Sequence, residues 1–179
     1  VLPSRKPDLQ KNARLCKKTM AETNTLTFNA VEELQTLLNE EITDPNNDRD
    51  GNARWIYTIP INFDLAQYPR IHIQEISALH NGYGLGTNQR QVDTVIQISV
   101  FNHVDGKFDV DNDNEKEESR EVVSFLTQKI TELLNSNQAR FKDEDNCINY
   151  FVTINETLTQ NSKNSVIQNN IEAELRSVK

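Results

Sequence analysis

Apolar residues along the chain fall into two recurring spacings, one helical and one extended. Over 27–42, Phe28, Val31, Leu34, Leu37, Leu38 and Ile42 recur every three or four residues. That spacing lays side chains along one face of a helix. Glu32, Glu33, Glu40 and Glu41 take the wet side. Thr27 is placed to cap the N-terminus, and Pro45 ends the helix by restricting the residue before it. A second stripe, Val122, Val123, Leu126, Ile130, Leu133 and Leu134, widened by Phe125, predicts a helix over 119–135. Glu115, Glu117 and Glu118 precede it, where negative charge suits the positive end of a helix dipole.

The other spacing is two. The aromatic and β-branched run 55–61 reads as a strand, with Pro60 marking its end or an edge because proline donates nothing to a ladder. A second strand spans 68–76, with Ile71 and Ile73 on one face and His72 and Gln74 on the other. A third follows, where Thr94, Ile96, Ile98 and Val100 alternate with Val95, Gln97, Ser99 and Phe101. Between them lies 81–87, which holds three of the chain's five glycines. Two alternating runs joined by a Gly-rich loop predict a long antiparallel hairpin. Ile148, Tyr150, Val152 and Ile154 form a further strand, and 156–165 reads as a turn or loop. The stretch 165–179 fits a helix face or a strand face; Asn169-Asn170 tilts it towards a strand.

This order predicts an α+β domain over 27–179, a mainly antiparallel sheet with two helices packed on it. Residues 1–26 stand apart. They carry Arg5, Lys6, Lys11, Arg14, Lys17 and Lys18 among few apolar positions, the composition of an extended arm that orders against a partner.

Charge narrows the function. The 179 residues hold 19 Lys and Arg against 27 Asp and Glu, a net charge of −8, which disfavours a free-standing nucleic-acid binder and adhesion to anionic membranes. No apolar run is long enough to span a bilayer, and no apolar leader core opens the chain. Cys16 and Cys147 fit no metal or disulfide spacing and read as two thiols in a reducing compartment.

Candidate chemistry is sparse. Residues 46–51 match the first half of a calcium loop, but its twelfth position is Tyr57, not Glu. Asp109, Asp111 and Asp113 start a second such run, with Asn114 at position six and Arg120 at position twelve. Gly82, Gly84 and Gly86 are followed by a strand rather than a helix, so no phosphate loop is expected. His72, His80 and His103 have no metal spacing. No nucleophile, base or ligand set converges, so no catalytic, cofactor-binding or metal residue is expected and the protein is not expected to be an enzyme.

Four features carry a resemblance. An opening amphipathic helix leads to a strand ending in Ile59-Pro60-Ile61. Tyr68-Pro69-Arg70-Ile71-His72-Ile73 opens a strand on an aromatic-Pro pair. A long hairpin loop leads into Val95-Ile96-Gln97-Ile98-Ser99-Val100-Phe101. A late helix is followed by two closing strands. Together, over about residues 27–178, they resemble the tail terminator or tail-completion proteins of tailed viruses. The resemblance implies a structural virion protein, assembled in the host cytoplasm. It would form a ring, commonly a hexamer, at the head-proximal end of a tail. The ring would end tail-tube growth and join the tail to neck or adaptor proteins. DNA would pass through its lumen unread. The arm 1–26 and the acidic loop 104–118 depart from compact members of the family, which leaves a neighbouring head–tail adaptor as an alternative.

On this reading the partner interface is drawn from the hairpin: Arg70, His72, Gln74, Tyr83, Leu85, Gln97, Ser99 and Phe101. Two rivals belong to other classes. One is a carboxylate-rich, metal-dependent, nuclease-like enzyme built on the loops at 44–50 and 105–118. The other is a soluble binding module that docks through its arm.

Overall fold

The computed structural model describes residues 29–50, 53–59, 67–82, 90–111, 113, 115–143, 148–159 and 165–178. The arm 1–26, Tyr83, Leu85 and both cysteines lie outside them. The elements run in the order α1 (Ala30–Glu41), β1 (Ile56–Tyr57), β2 (Arg70–Gly82), β3 (Arg90–His103), α2 (Ser119–Ser136), a 3-10 turn (Gln138–Arg140), β4 (Lys142–Asp143), β5 (Ile148–Thr159) and β6 (Val166–Val178). The strands form one six-stranded sheet in the order β1-β2-β3-β6-β5-β4. Only β1 and β2 are parallel; the remaining pairs are antiparallel. This is the expected α+β class.

Helix α1 begins two residues later than its sequence pattern implied. Asn29, not Thr27, is the cap, and its Oδ1 accepts from Val31 N at 3.2 Å and Glu32 N at 3.3 Å. A short side-chain acceptor there satisfies amides that have no partner within the helix. In α2, Glu118 N donates to Glu121 Oε2 at 3.2 Å and Glu121 N to the Glu118 carbonyl at 2.8 Å, closing the first turn.

The core lies between the two helices and one face of the sheet. Leu34, Leu37 and Leu38 of α1 and Val122, Val123, Leu126, Ile130 and Leu134 of α2 are buried. They pack with Ile71, Ile73, Ile96, Ile98, Val100, Ile171, Ala173 and Leu175. Cross-strand pairs such as Ile73↔Ile98 and Ile98↔Ile171 bring these residues side by side. Polar contacts also join helix to sheet: Asn169 Nδ2 donates to Thr127 Oγ1 at 3.3 Å and Gln35 Nε2 to the Ile56 carbonyl at 3.2 Å. Arg140 ties the layers further, donating to Glu33 at 3.0 Å and Glu40 at 2.8 Å on α1.

Four expectations change. Phe125 is 38% exposed; it shares its helical row with exposed Lys129 and Glu132 rather than with Val122 and Leu126. Of the strand expected over 55–61, Ile56 and Tyr57 are the ladder residues among those described, and Ile59 stands exposed; 60 and 61 lie outside the described residues. Strands β2 and β5 run on to Gly82 and Thr159, past the 68–76 and 148–154 segments marked by strong alternation. Their partners β3 and β6 continue to hydrogen-bond them where the side-chain pattern turns polar. The two-residue strand β4 carries too little pattern to be foreseen.

Candidate functional site: the uncovered sheet face

Because side chains alternate along a strand, the residues between the core positions all point away from the helices. The register lines them up in rows. Arg70, Phe101 and Gln168 form one row; Tyr57, His72, Ser99 and Asn170 the next; Gln74, Gln97 and Glu172 a third. The rows are knitted by side-chain hydrogen bonds. Gln74 Nε2 donates to Gln97 Oε1 at 2.7 Å, Ser99 Oγ to Asn170 Oδ1 at 2.8 Å, and Gln168 Nε2 to the same oxygen at 2.7 Å. Amide and hydroxyl side chains that satisfy one another in this way keep a sheet face polar and ordered.

At one end of the face sits an aromatic–cation cluster. The Arg70 guanidinium is 4.5 Å from the Tyr68 ring centroid and 5.4 Å from that of Phe101, within cation–π range of both. Its Nη2 also donates to the Tyr68 hydroxyl at 3.1 Å. Burial pushes the guanidinium below its usual pKa, while Tyr68 and Tyr57 act in the opposite direction. His72, in the next row, is held below the ordinary histidine value by burial and then by the Arg70 charge. Among the described residues its buried Nε2 has no hydrogen-bond partner.

The loop 44–50 positions this cluster. Arg49 is buried and pairs with Asp44 through Nε and, at 3.3 Å, through Nη2. Its fork also reaches the carbonyls of Gln67 at 3.1 Å and Pro69 at 2.6 Å, and Asn46 Nδ2 donates to the Tyr68 carbonyl at 2.8 Å. The Tyr68–Pro69 peptide is cis. The residues that looked like half a calcium loop thus serve as a clamp on the entry to β2.

Six of the eight hairpin residues named from sequence share this face, in three cross-strand pairs: Arg70↔Phe101, His72↔Ser99 and Gln74↔Gln97. Gln74 is exposed and His72 and Gln97 are half-buried, whereas Arg70, Ser99 and Phe101 are buried. The accessible part of the face is therefore the glutamine row and its neighbours on β6. Gln168, Asn170 and Glu172 were missed from sequence because the pairing of β6 with β3 is a long-range fact.

A second cluster lies in the loop before α2. Carboxylate oxygens of Asp109, Asp111, Asp113 and Glu117 fall within 4.8 Å of one another. Glu117 joins the three aspartates because Phe108 and Glu117 form an antiparallel bridge that folds the loop back. Several of these oxygens accept from the loop's own backbone. Val110 N donates to Glu117 at 3.1 Å and Glu115 N to Asp113 at 2.8 Å.

Among the described residues, no helix is long and apolar enough to cross a membrane. No protein-family model matches the chain, and no curated protein is significantly similar to it.

Proposed function

We propose that the chain is a structural virion protein of a tailed virus, a ring at the head-proximal end of the tail that ends tube growth and joins tail to neck. The observation that carries this reading is the one-sided sheet. Both helices cover one face; the opposite face buries Arg70, Ser99 and Phe101 at one end and, from the Gln74–Gln97 row onward, presents hydrogen-bonded amide side chains to solvent. A ring subunit has two such demands, a solid core behind and a wet face towards a lumen or a neighbour. An amide-rich face on a chain of net charge −8 offers passing DNA little attraction, which suits sliding rather than gripping. The long elements run helix, hairpin, helix and two closing strands, with the two-residue β1 and β4 added between them, and this order supports the reading. Six copies, neck or adaptor proteins as partners, and DNA in the lumen are parts of the same proposal. Electron microscopy of the purified protein tests it. Closed rings with a hole wide enough for a DNA duplex are expected, and particles without a central hole would count against it.

The rival metal-dependent enzyme has one observation in its favour, the convergence of Asp109, Asp111, Asp113 and Glu117. Divalent-cation titration separates the two. The enzyme reading requires stoichiometric heat and cation-dependent nucleic-acid cleavage; the structural reading predicts no cleavage with or without cation.

A further inference from the structure

The sheet has two long strands near its two ends, and each is capped by a strand of only two residues. On one side β1 pairs with β2 at Ile71 and His72 alone. On the other, β4 pairs with β5 at Ile148 and Asn149 alone. Beyond those pairs, ten residues of β2 (73–82) and ten of β5 (150–159) have no outer neighbour strand among the described residues. Such an edge presents a row of backbone donors and acceptors to any strand that approaches.

Proteins that stay monomeric blunt their edges with lysine, proline, bulges or a covering element. Neither free stretch contains a Lys, an Arg or a Pro. Among the described residues the blunting devices are one glutamate in each stretch, Glu75 and Glu156, and the irregularity between Glu75 and Ser77 in β2. The irregularity lies near the start of the free stretch and leaves Ile76 half exposed rather than charged. The two edges are different surfaces of equal length on opposite sides of one sheet.

We propose that copies of this chain associate head to tail, the free edge of β2 in one copy pairing with the free edge of β5 in the next, so that the sheet continues from subunit to subunit. This deepens the ring reading and rests on it for closure. Two unlike edges make a heterologous contact, which closes into a ring if the rotation allows and otherwise grows as a filament. Ten paired residues run about 33 Å, and with a sheet layer about 10 Å thick the contact covers about 330 Å² per partner. A stable pairwise interface takes about 800 Å² per partner. One edge contact is therefore too small for a durable dimer. Assembly needs every copy held on both sides, so the transition from monomer to closed ring is steep in concentration. Since each copy carries −8, added salt screens the repulsion and favours assembly.

The test is hydrogen exchange on the full chain, at protein concentrations spanning a light-scattering series. Slowed exchange in both 73–82 and 150–159, appearing together as the mass rises, is the expected result. An open filament with both stretches protected upholds the edge pairing while sinking the closed ring. A rise in mass with neither stretch slowed overturns the pairing and leaves the ring reading to another interface. The amides bonded inward to β3 and β6 are protected in any state; protection of the outward-pointing ones already in the dilute monomer overturns it too, because the chain's own residues would then cover the edges. A mass of one chain at every concentration and salt level also overturns it. Thr153→Lys, at an exposed edge position, is expected to weaken association at least tenfold while leaving the monomer's thermal transition in place.

Discussion

Arg49 Nη2 donates to the Pro69 carbonyl at 2.6 Å, and this contact fixes where β2 begins. The same guanidinium holds Asp44 and the Gln67 carbonyl. Replacing Arg49 by Ala leaves two carbonyls and a partly buried carboxylate without their donor, a loss of about 2–3 kcal/mol. Arg49→Lys recovers little, because an ammonium cannot reproduce the planar fork. Thermal melts of both variants check this; a lysine variant as stable as the wild type would contradict it.

Gly106 sits where a side chain does not fit. A Cβ there would lie 2.6 Å from Asn102 Oδ1 and 3.1 Å from the His103 carbonyl. Asn102 is fully buried and committed, donating to the Gly106 carbonyl at 3.0 Å and accepting from His103 N at 2.9 Å. Gly106→Ala is expected to cost about 1–3 kcal/mol through overpacking, measured by urea unfolding with an unchanged slope.

His72 makes stability depend on acidity. Its folded pKa lies below the free value of 6.5, through burial first and the Arg70 charge second. Above 6.5 the side chain is neutral in both folded and unfolded chains and contributes no pH dependence to stability. As pH falls from 6.5 through the folded pKa, the unfolded chain takes up the proton first and the folded state loses stability. His72→Gln is expected to show a shallower fall in melting temperature over that window. Parallel curves for the two proteins would show that His72 is not the group responsible.

Phe125 and Leu126 are neighbours in sequence with opposite fates. Leu126 is 1% exposed and Phe125 38%. Leu126→Ala is expected to cost about 2–5 kcal/mol, while Phe125→Lys stays within about 0.5 kcal/mol of the wild type. Equilibrium unfolding of the pair distinguishes these outcomes.

The parts of the fold legible from sequence were those written in local periodicity. The leucines of α1, the Val122–Leu134 stripe and the alternation at 94–101 each state their element and their buried face. Ile71 and Ile73 against His72 and Gln74 likewise placed both faces of β2 correctly. What escaped depended on distance along the chain. Asn170 reaches Ser99 across 71 residues, and Glu117 reaches the aspartates through a bridge to Phe108. Arg49 stood in sequence only as one position of a half calcium loop, because the carbonyls it clamps lie eighteen and twenty residues on. Phe125 misled because hydrophobicity alone does not fix which helical row a residue joins when a neighbouring row already fills the core.

A closed ring of the proposed kind declares itself in the protein's mass in solution. Light scattering across a concentration series is expected to show a cooperative passage from the 20.6 kDa chain to one discrete species near six times that mass. A single 20.6 kDa species throughout, at low and high salt alike, would rule the ring out.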